Sequence, residues 1–352
     1  MKTGTQLFGI TRPPFIIAEM SGNHNQSLER ALEIVEAAAR TGAHAIKLQT
    51  YTADTMTLDL KEGEFFISDD KSPWKGQSLY DLYKIAHTPW DWHQPIFDCA
   101  KKRGLICFST PFDETAVDLL EKLGAPIYKI ASFENTDLPL IQRVAATGKP
   151  LIISTGMATE EELDESVDAA RKAGCKDLTL LKCTSIYPAT PENSNLLTIP
   201  YLRERYGCEI GLSDHTLGIG VAISSVALGA TVIEKHFTLK RSDGGVDAAF
   251  SLEPHELKQL VEETASAWQS LGKIFVAPTE TEKSSITFRR SLYFVKDLPA
   301  GHVVKDGDIR RIRPGMGLPC RDFHKLVGRK LKKMVRRGTA TAAHQFEPGF
   351  IG

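Results

Sequence analysis

The sequence predicts an α/β fold, a (β/α)8 TIM barrel followed by a small β-rich C-terminal module. Three observations carry this. Short β-rich runs alternate with helical patterns eight times between Phe15 and Leu271. Nearly every run finishes on polar or charged residues, at the strand end where barrel enzymes place their chemistry. After Gly272 the alternation stops, and a polar linker leads into a turn-rich stretch with short strands. On this reading residues 1–280 form the barrel and residues 281–352 the linker and the module.

The first strand, 15–19, ends on the carboxylate of Glu19 and runs into a turn-like S-G-N-H-N. A helix over 27–40 follows, with Leu28, Ala31, Leu32, Val35 and Ala39 at helical spacing and Gly42 as its stop. The second strand, 44–49, puts Lys47 and Gln49 on one face. Further strands are predicted at 105–109, 127–130, 151–154, 178–183, 209–213 and 231–235. Helices are predicted between them at 90–103, 114–123, 138–147, 160–173, 196–206 and 217–228, and a last one at 254–271. Thr159 with Glu162 has the form of a capping box. The connection over 51–87, with W-K-G-Q-S-L-Y-D-L-Y inside it, is too long for an ordinary βα loop and reads as an irregular cover over the active face.

A chain of 352 residues accommodates one large domain and a small one. Its 42% hydrophobic and 25% charged residues are those of an ordinary globular protein, which excludes a disordered or fibrous chain. Met1-Lys2 leads into Thr, Gly and Gln and not into an apolar segment, and no run reaches membrane-spanning length, so the expectation is a cytoplasmic protein with no membrane role. The six cysteines include no C-x-x-C pair, which favours reduced, mostly buried thiols. Cys183 stands at a strand end, but the local sequence places no histidine beside it to make it a nucleophile. Residues 281–352 hold 16 Lys and Arg against 6 Asp and Glu, and the preceding residues 27 against 38. Without a nucleic-acid motif, that basic end reads as a docking surface or an attractor for an anionic substrate, not as a nucleic-acid binder.

Two predicted strands, one βα unit apart, end on histidines: I-G-L-S-D-H-T reaches His215 and A-T-V-I-E-K-H-F reaches His236. Neighbouring strands of a parallel barrel end at the same rim, so both imidazoles face one pocket, with Ser213 and Glu234 two residues back on the same faces. Two neutral imidazoles suit a divalent metal with open positions for water and substrate; the plainer alternative is two polar strand caps. The other strand ends add Glu19; Lys47 and Gln49; Ser109 and Thr110; Lys129, Ser132 and Glu134; Ser154 and Thr155; Thr184, Ser185 and Tyr187. Two ammonium groups beside several serines suit a phosphate, and Glu19 suits proton transfer or the orienting of a water. Each serine taken alone also reads as a helix N-cap, and Lys47 or Lys129 as a Schiff-base nucleophile, which leaves the histidines without a task.

The runs I-A-E-M-S-G-N-H-N, K-L-Q-T-Y, C-F-S-T-P-F-D, Y-K-I-A-S-F-E, I-S-T-G-M-A, L-K-C-T-S-I-Y-P, G-L-S-D-H-T, E-K-H-F and R-P-G-M-G span nearly the whole chain. Together they resemble the sialic acid synthase family, and M-S-G-N-H-N, G-Q-S-L-Y-D-L-Y-K and A-H-T-P-W are similar to its pseudaminic acid branch. The resemblance implies a barrel followed by an antifreeze-like (SAF) domain, in a domain-swapped homodimer whose SAF domain covers the partner's active site. It implies condensation of phosphoenolpyruvate (PEP) with a 2,4-diacetamido-2,4,6-trideoxy-L-altrose, releasing phosphate by C–O cleavage, with Mn2+ or Mg2+ as cofactor. By position, His215 and His236 match the metal ligands, Glu19 the catalytic carboxylate, and Lys47, Lys129, Ser132, Ser154, Ser185 and Ser213 the PEP contacts. Gln49, Thr110, Glu134, Tyr187 and Asp247 match sugar-side positions, and Arg313 the SAF-domain arginine that reaches the acyl group. Lys182 and Ser185 stand where the N-acetylneuraminate branch has H-C-T-N, and Leu48 and Tyr51 where it has K-H-Q-T-H, which implies a changed sugar pocket and an unchanged reaction. An N-acetylneuraminate or legionaminate synthase is the alternative inside the family; a Schiff-base lyase and a non-catalytic sugar or nucleic-acid binder are those outside it.

Overall fold

The computed structural model describes residues 8–70 and 74–348. The chain divides into two compact units, Met1–Gly272 and Lys273–Gly352. In the first, eight parallel strands close into a barrel in sequence order. β1 (Phe15–Glu19) is followed by α1 (Leu28–Thr41), and β2 (Ala45–Thr50) by α2 (Ala53–Met56), α3 (Leu79–Ala86) and α4 (His93–Lys102). β3 (Ile106–Pro111) leads to α5 (Glu114–Lys122), β4 (Tyr128–Ile130) to α6 (Leu138–Ala145), and β5 (Leu151–Ser154) to α7 (Glu160–Lys172). β6 (Leu178–Cys183) leads to α8 (Thr198–Tyr206), β7 (Glu209–Asp214) to α9 (Gly220–Ala227), and β8 (Val232–His236) to α10 (Pro254–Leu271). No helix among the described residues is long and apolar enough to cross a membrane.

Strand periodicity separates two kinds of core. Outward positions such as Ile16, Ile46, Ile153, Leu180 and Ile233 are buried in the clusters that pack strands under helices. Phe15, Ile17, Ala45, Phe108, Ile127, Ile152, Leu181 and Val232 form a separate buried cluster, which fills the barrel interior. Two residues further along the same inward faces come Glu19, Lys47, Thr110, Lys129, Ser154, Cys183 and Glu234. One alternation therefore builds an apolar floor and carries the polar groups to the carboxyl-end rim.

The helix ends follow local chemistry. Ser27 caps α1 by accepting from the Arg30 N–H at 3.2 Å, and Gly42 closes it at φ 84°. Thr159 and Glu162 make the expected reciprocal box. Three helices start two or three residues later than the pattern predicts, α4 because a 3-10 turn at Trp90–Trp92 precedes it. The chain before α8 turns through Asn195 at φ 44°. The residues before α9 are held by Lys235, whose Nζ lies 3.1 Å from Asp214 Oδ2 and donates to the Thr216 and Gly218 carbonyls at 2.5 and 2.9 Å.

The 51–87 connection is a larger correction. It contains α2, a 3-10 turn at Gly63–Phe65, and α3, which is the G-Q-S-L-Y-D-L-Y segment capped by Ser78. Two histidines, both with no solvent exposure, pin its far end to the barrel. His24 accepts from the Gln26 N–H through Nδ1 at 3.2 Å and meets Thr88 Oγ1 through Nε2 at 3.3 Å. His93 donates from Nδ1 to the Pro89 carbonyl at 3.1 Å and meets Thr50 Oγ1 through Nε2 at 2.8 Å.

In the second unit, β9 (Ser291–Phe294) pairs antiparallel with β10 (Ile309–Ile312). These strands and α11 (Phe323–Leu326) enclose a core with Leu292, Phe294, Ile309, Leu326 and Phe346.

Burial holds His24 and His93 down to about 4. The unfolded chain therefore binds more protons than the folded one between about pH 4 and the ordinary histidine value near 6.5. Their stabilisation is complete above that ordinary value and is lost as pH falls towards 4, each histidine accounting for roughly 3 kcal/mol at the low end. Thermal midpoints measured from about pH 7 down to about pH 4.5 should fall steeply, and His93→Gln should flatten the slope.

Candidate active site

The inward strand ends converge on a cavity of about 50 Å³ lined by Glu19, Lys47, Thr110, Lys129, Ser132, Ser154, Cys183, Ser213, His215, Glu234 and His236. Strand register sets the neighbours. Glu19 lies opposite Lys47 on β2 and His236 on β8, and Ser213 opposite both Cys183 and Glu234. Lys47 Nζ sits 2.5 Å from Glu19 Oε2 and 3.8 Å from Glu234 Oε1, and donates to Thr110 Oγ1 at 3.1 Å. Lys129 Nζ donates to Glu234 Oε1 at 2.8 Å. A buried ammonium needs a partner of this kind to stay charged. Burial works against the charge of Lys129, but Glu234 outweighs it and the lysine titrates above its usual range. Burial also pushes Glu234 up, yet Lys129 and Lys47 bring it below the ordinary carboxylate value. Glu19 goes the other way, because burial exceeds the pull of Lys47.

Hydroxyls line the same cavity. Ser132 Oγ accepts from the Gly156 N–H at 3.1 Å, and the buried Ser154 Oγ has no hydrogen-bond partner among the described residues. None of Ser132, Ser154, Ser185 and Ser213 caps a described helix, so the N-cap reading of these serines fails. Gly156 permits the crowding. A Cβ there would lie 2.2 Å from Ser185 Oγ and 2.6 Å from Ser132 Oγ.

His215 and His236 stand side by side, their ring centroids 5.3 Å apart. His215 Nδ1 is 3.0 Å from the Thr184 carbonyl, so its N–H is used there and the Nε2 lone pair is left for another partner. His236 Nδ1 is buried with no hydrogen-bond partner among the described residues, 3.7 Å from Asp247 Oδ2. Burial first, then the nearby His215 and lysine charges, hold His236 well below its ordinary value, which makes it a neutral imidazole. Tyr187 packs 4.4 Å from the His215 ring and Phe250 5.0 Å from the His236 ring. Among the described residues no group of three or more His, Cys, Asp or Glu side chains forms a metal cage. The donor set is therefore two imidazoles, which fits a divalent cation whose remaining positions belong to water and substrate.

A wider chamber of about 450 Å³ shares Gln49, Tyr187 and His236 with the deep cavity and adds Glu134, Ser185 and Asp247. Gln49 Nε2 donates to Glu19 Oε1 at 3.1 Å, and Ser21 donates to Asp247 Oδ2. Burial pushes Glu134 up to about 7, and its Oε2 has no partner. Every residue matched to the metal, PEP or sugar positions lines one of these two cavities except Arg313, which belongs to the second unit after β10; of the other polar strand ends, Ser109, Thr155 and Thr184 line neither. Several neighbours were missed. Cys183 does have a histidine beside it, His215 across the sheet at 3.9 Å; burial pushes the thiol up, but His215 and Lys129 bring it to about 7. Glu234 was visible in E-K-H-F, but its partner Lys129 is 105 residues away, and neither Phe250 nor Gly156 carries a signal of its own.

A model of the NeuB family matches residues 34–275. The chain belongs to the NeuB family. A SAF domain model matches residues 289–346, so this NeuB-family chain carries a SAF domain after its barrel. It is 41% identical to a pseudaminic acid synthase of Helicobacter pylori, covering 96% of this chain and 98% of that one. It is 40% identical to a pseudaminic acid synthase of Campylobacter jejuni, covering 97% and 98%. Among solved structures it is similar to the N-acetylneuraminic acid synthetase of Leptospira borgpetersenii in complex with citrate, at 33% identity and a TM-score of 0.70 over 78% of this chain and 90% of that one.

The two kinds of buried lysine separate by strand parity. Lys235 points outward and ties Asp214 to the loop before α9, whereas Lys47 and Lys129 point into the cavity. Lys235→Met leaves Asp214 buried without its counterion and should cost on the order of 3–5 kcal/mol in urea unfolding.

Proposed function

We propose that this chain acts as a pseudaminic acid synthase, condensing PEP with 2,4-diacetamido-2,4,6-trideoxy-L-altrose to give pseudaminic acid and inorganic phosphate. The observation that carries this reading is the histidine pair beside a cradle of two paired lysines and crowded serine hydroxyls. The choice of sugar is supported by likeness to pseudaminic acid synthases at 41% and 40% identity, against 33% for the N-acetylneuraminic acid synthetase.

In this reading Lys47 and Lys129 take the anionic groups of PEP, and Ser132, Ser154, Ser185 and Ser213 supply short-range hydroxyl donors. Ser154, whose hydroxyl has no protein partner, is the clearest of these. His215 and His236 would hold Mn2+ or Mg2+, which when bound supplies Lewis-acid polarisation of the sugar aldehyde. Gln49, Thr110, Glu134, Tyr187 and Asp247 orient the open-chain sugar. Carbon 3 of PEP forms the new bond to the aldehyde carbon, whose oxygen takes up a proton. Water then adds at carbon 2, and Glu19, held by Lys47 and Gln49, orients it and accepts its proton. The bond from carbon 2 to the phosphate oxygen breaks last, leaving a ketone and free phosphate. We further assign the enzyme to the cytoplasm and to a homodimer in which Arg313 of each SAF domain serves the partner's site.

Turnover of PEP and the diacetamido sugar with Mn2+ in ¹⁸O-water should put label into the sugar acid and none into phosphate. Label in phosphate overturns the C–O cleavage. Ser154→Ala should raise the KM for PEP roughly tenfold, the worth of one hydrogen bond to a charged group, and leave the KM for the sugar unchanged.

A further inference from the structure

The 51–87 connection supplies one wall of the wider chamber; beside the phenols of Tyr51 and Tyr83 it presents an apolar patch of Met56, Trp74, Leu79 and Leu82, which Phe112 and Val246 extend. Trp74 fixes it in place. Its indole N–H donates to the Val246 carbonyl at 3.0 Å, and its ring lies 6.2 Å from that of Tyr187. Val246 is clamped in turn, since a Cβ on Gly22 would come within 2.3 Å of Val246 Cγ2. The next residue, Asp247, takes the Ser21 hydrogen bond and lies 3.7 Å from His236. One indole thus joins the apolar wall to the loop that approaches the histidine pair.

A sugar hydroxyl against Met56, Leu79, Leu82, Phe112 or Val246 would surrender water to side chains that have no donor or acceptor of their own, at a cost of about 1–3 kcal/mol. A methyl group in the same place gains apolar burial. We propose that the wall anchored by Trp74 is the specificity element of the site. It selects amino sugars in which a hydroxyl remote from the reacting carbon is absent and a methyl group stands in its place, and it disfavours their hydroxylated counterparts. This inference deepens the reading above and rests on it for the identity of the sugar.

The test compares the diacetamido-trideoxy sugar with its 6-hydroxy counterpart, in the wild-type enzyme, Trp74→Phe and Trp74→Ala. The wild type should prefer the 6-deoxy sugar by about tenfold or more in kcat/KM, the range expected for a hydrophobic pocket. Trp74→Ala should remove most of that preference while leaving the KM for PEP within about twofold, since the cradle is untouched. Trp74→Phe keeps the wall and should keep the preference, with a lower kcat from the lost tie to Val246. Full preference in Trp74→Ala, or no preference in the wild type, overturns the proposal. If the wild type turns over N-acetylmannosamine and neither diacetamido sugar, the assigned substrate is wrong; N-acetylmannosamine and its 6-deoxy analogue then replace the pair, and the same loss in Trp74→Ala is expected. Calorimetric binding of each pair without PEP repeats the comparison without turnover.

Discussion

The site depends on a row of buried charges, Glu19, Lys47, Glu234 and Lys129, in which each group is tolerated only because its neighbour is present. Every member comes from a different strand, and the two carboxylates come from β1 and β8, the strands whose pairing closes the barrel. An open sheet would leave Glu234 short of Lys47 and Glu19 without its neighbour His236. Ring closure and assembly of the anion cradle are therefore one event. The apolar floor beneath, with Phe108, Ile152 and Leu181, keeps water from reaching these charges from below and strengthens their mutual attraction.

Around that row the protonation states divide the labour. Lys129 stays charged through Glu234, and His236 stays neutral first because it is buried and then because the neighbouring His215 and lysine charges oppose a further proton. A neutral imidazole can donate a lone pair and an ammonium cannot. The cavity thus offers cation-binding and anion-binding groups within a few ångströms without neutralising either.

Much of this was legible in the sequence because it follows from periods of two and from strand ends. The barrel, the inward placement of Lys47 with Gln49, and the shared pocket of His215 and His236 all come from parity and connection order. What stayed hidden depends on approach across the sheet. Cys183 reads as solitary until β6 and β7 are placed in register. Asp247 is reached from the sequence only through the resemblance, and its hydrogen bond from Ser21, 226 residues earlier, has no local signal. The role of Gly156 exists only in the space between Ser132 and Ser185. The helices inside 51–87 are hidden by the segment's length, which reads as a loop, although Ser78 and the spacing of Leu79, Leu82 and Tyr83 mark α3.

The order of the charges along the chain has a consequence for synthesis. Lys129 leaves the ribosome 105 residues before Glu234, the carboxylate that neutralises it. Throughout that interval the nascent polypeptide holds Lys47 with its partner Glu19 and Lys129 without the carboxylate to which it donates in the folded chain. Translation of the eighth strand then brings the missing counterion and the second histidine together, and the catalytic centre matures in a single late step.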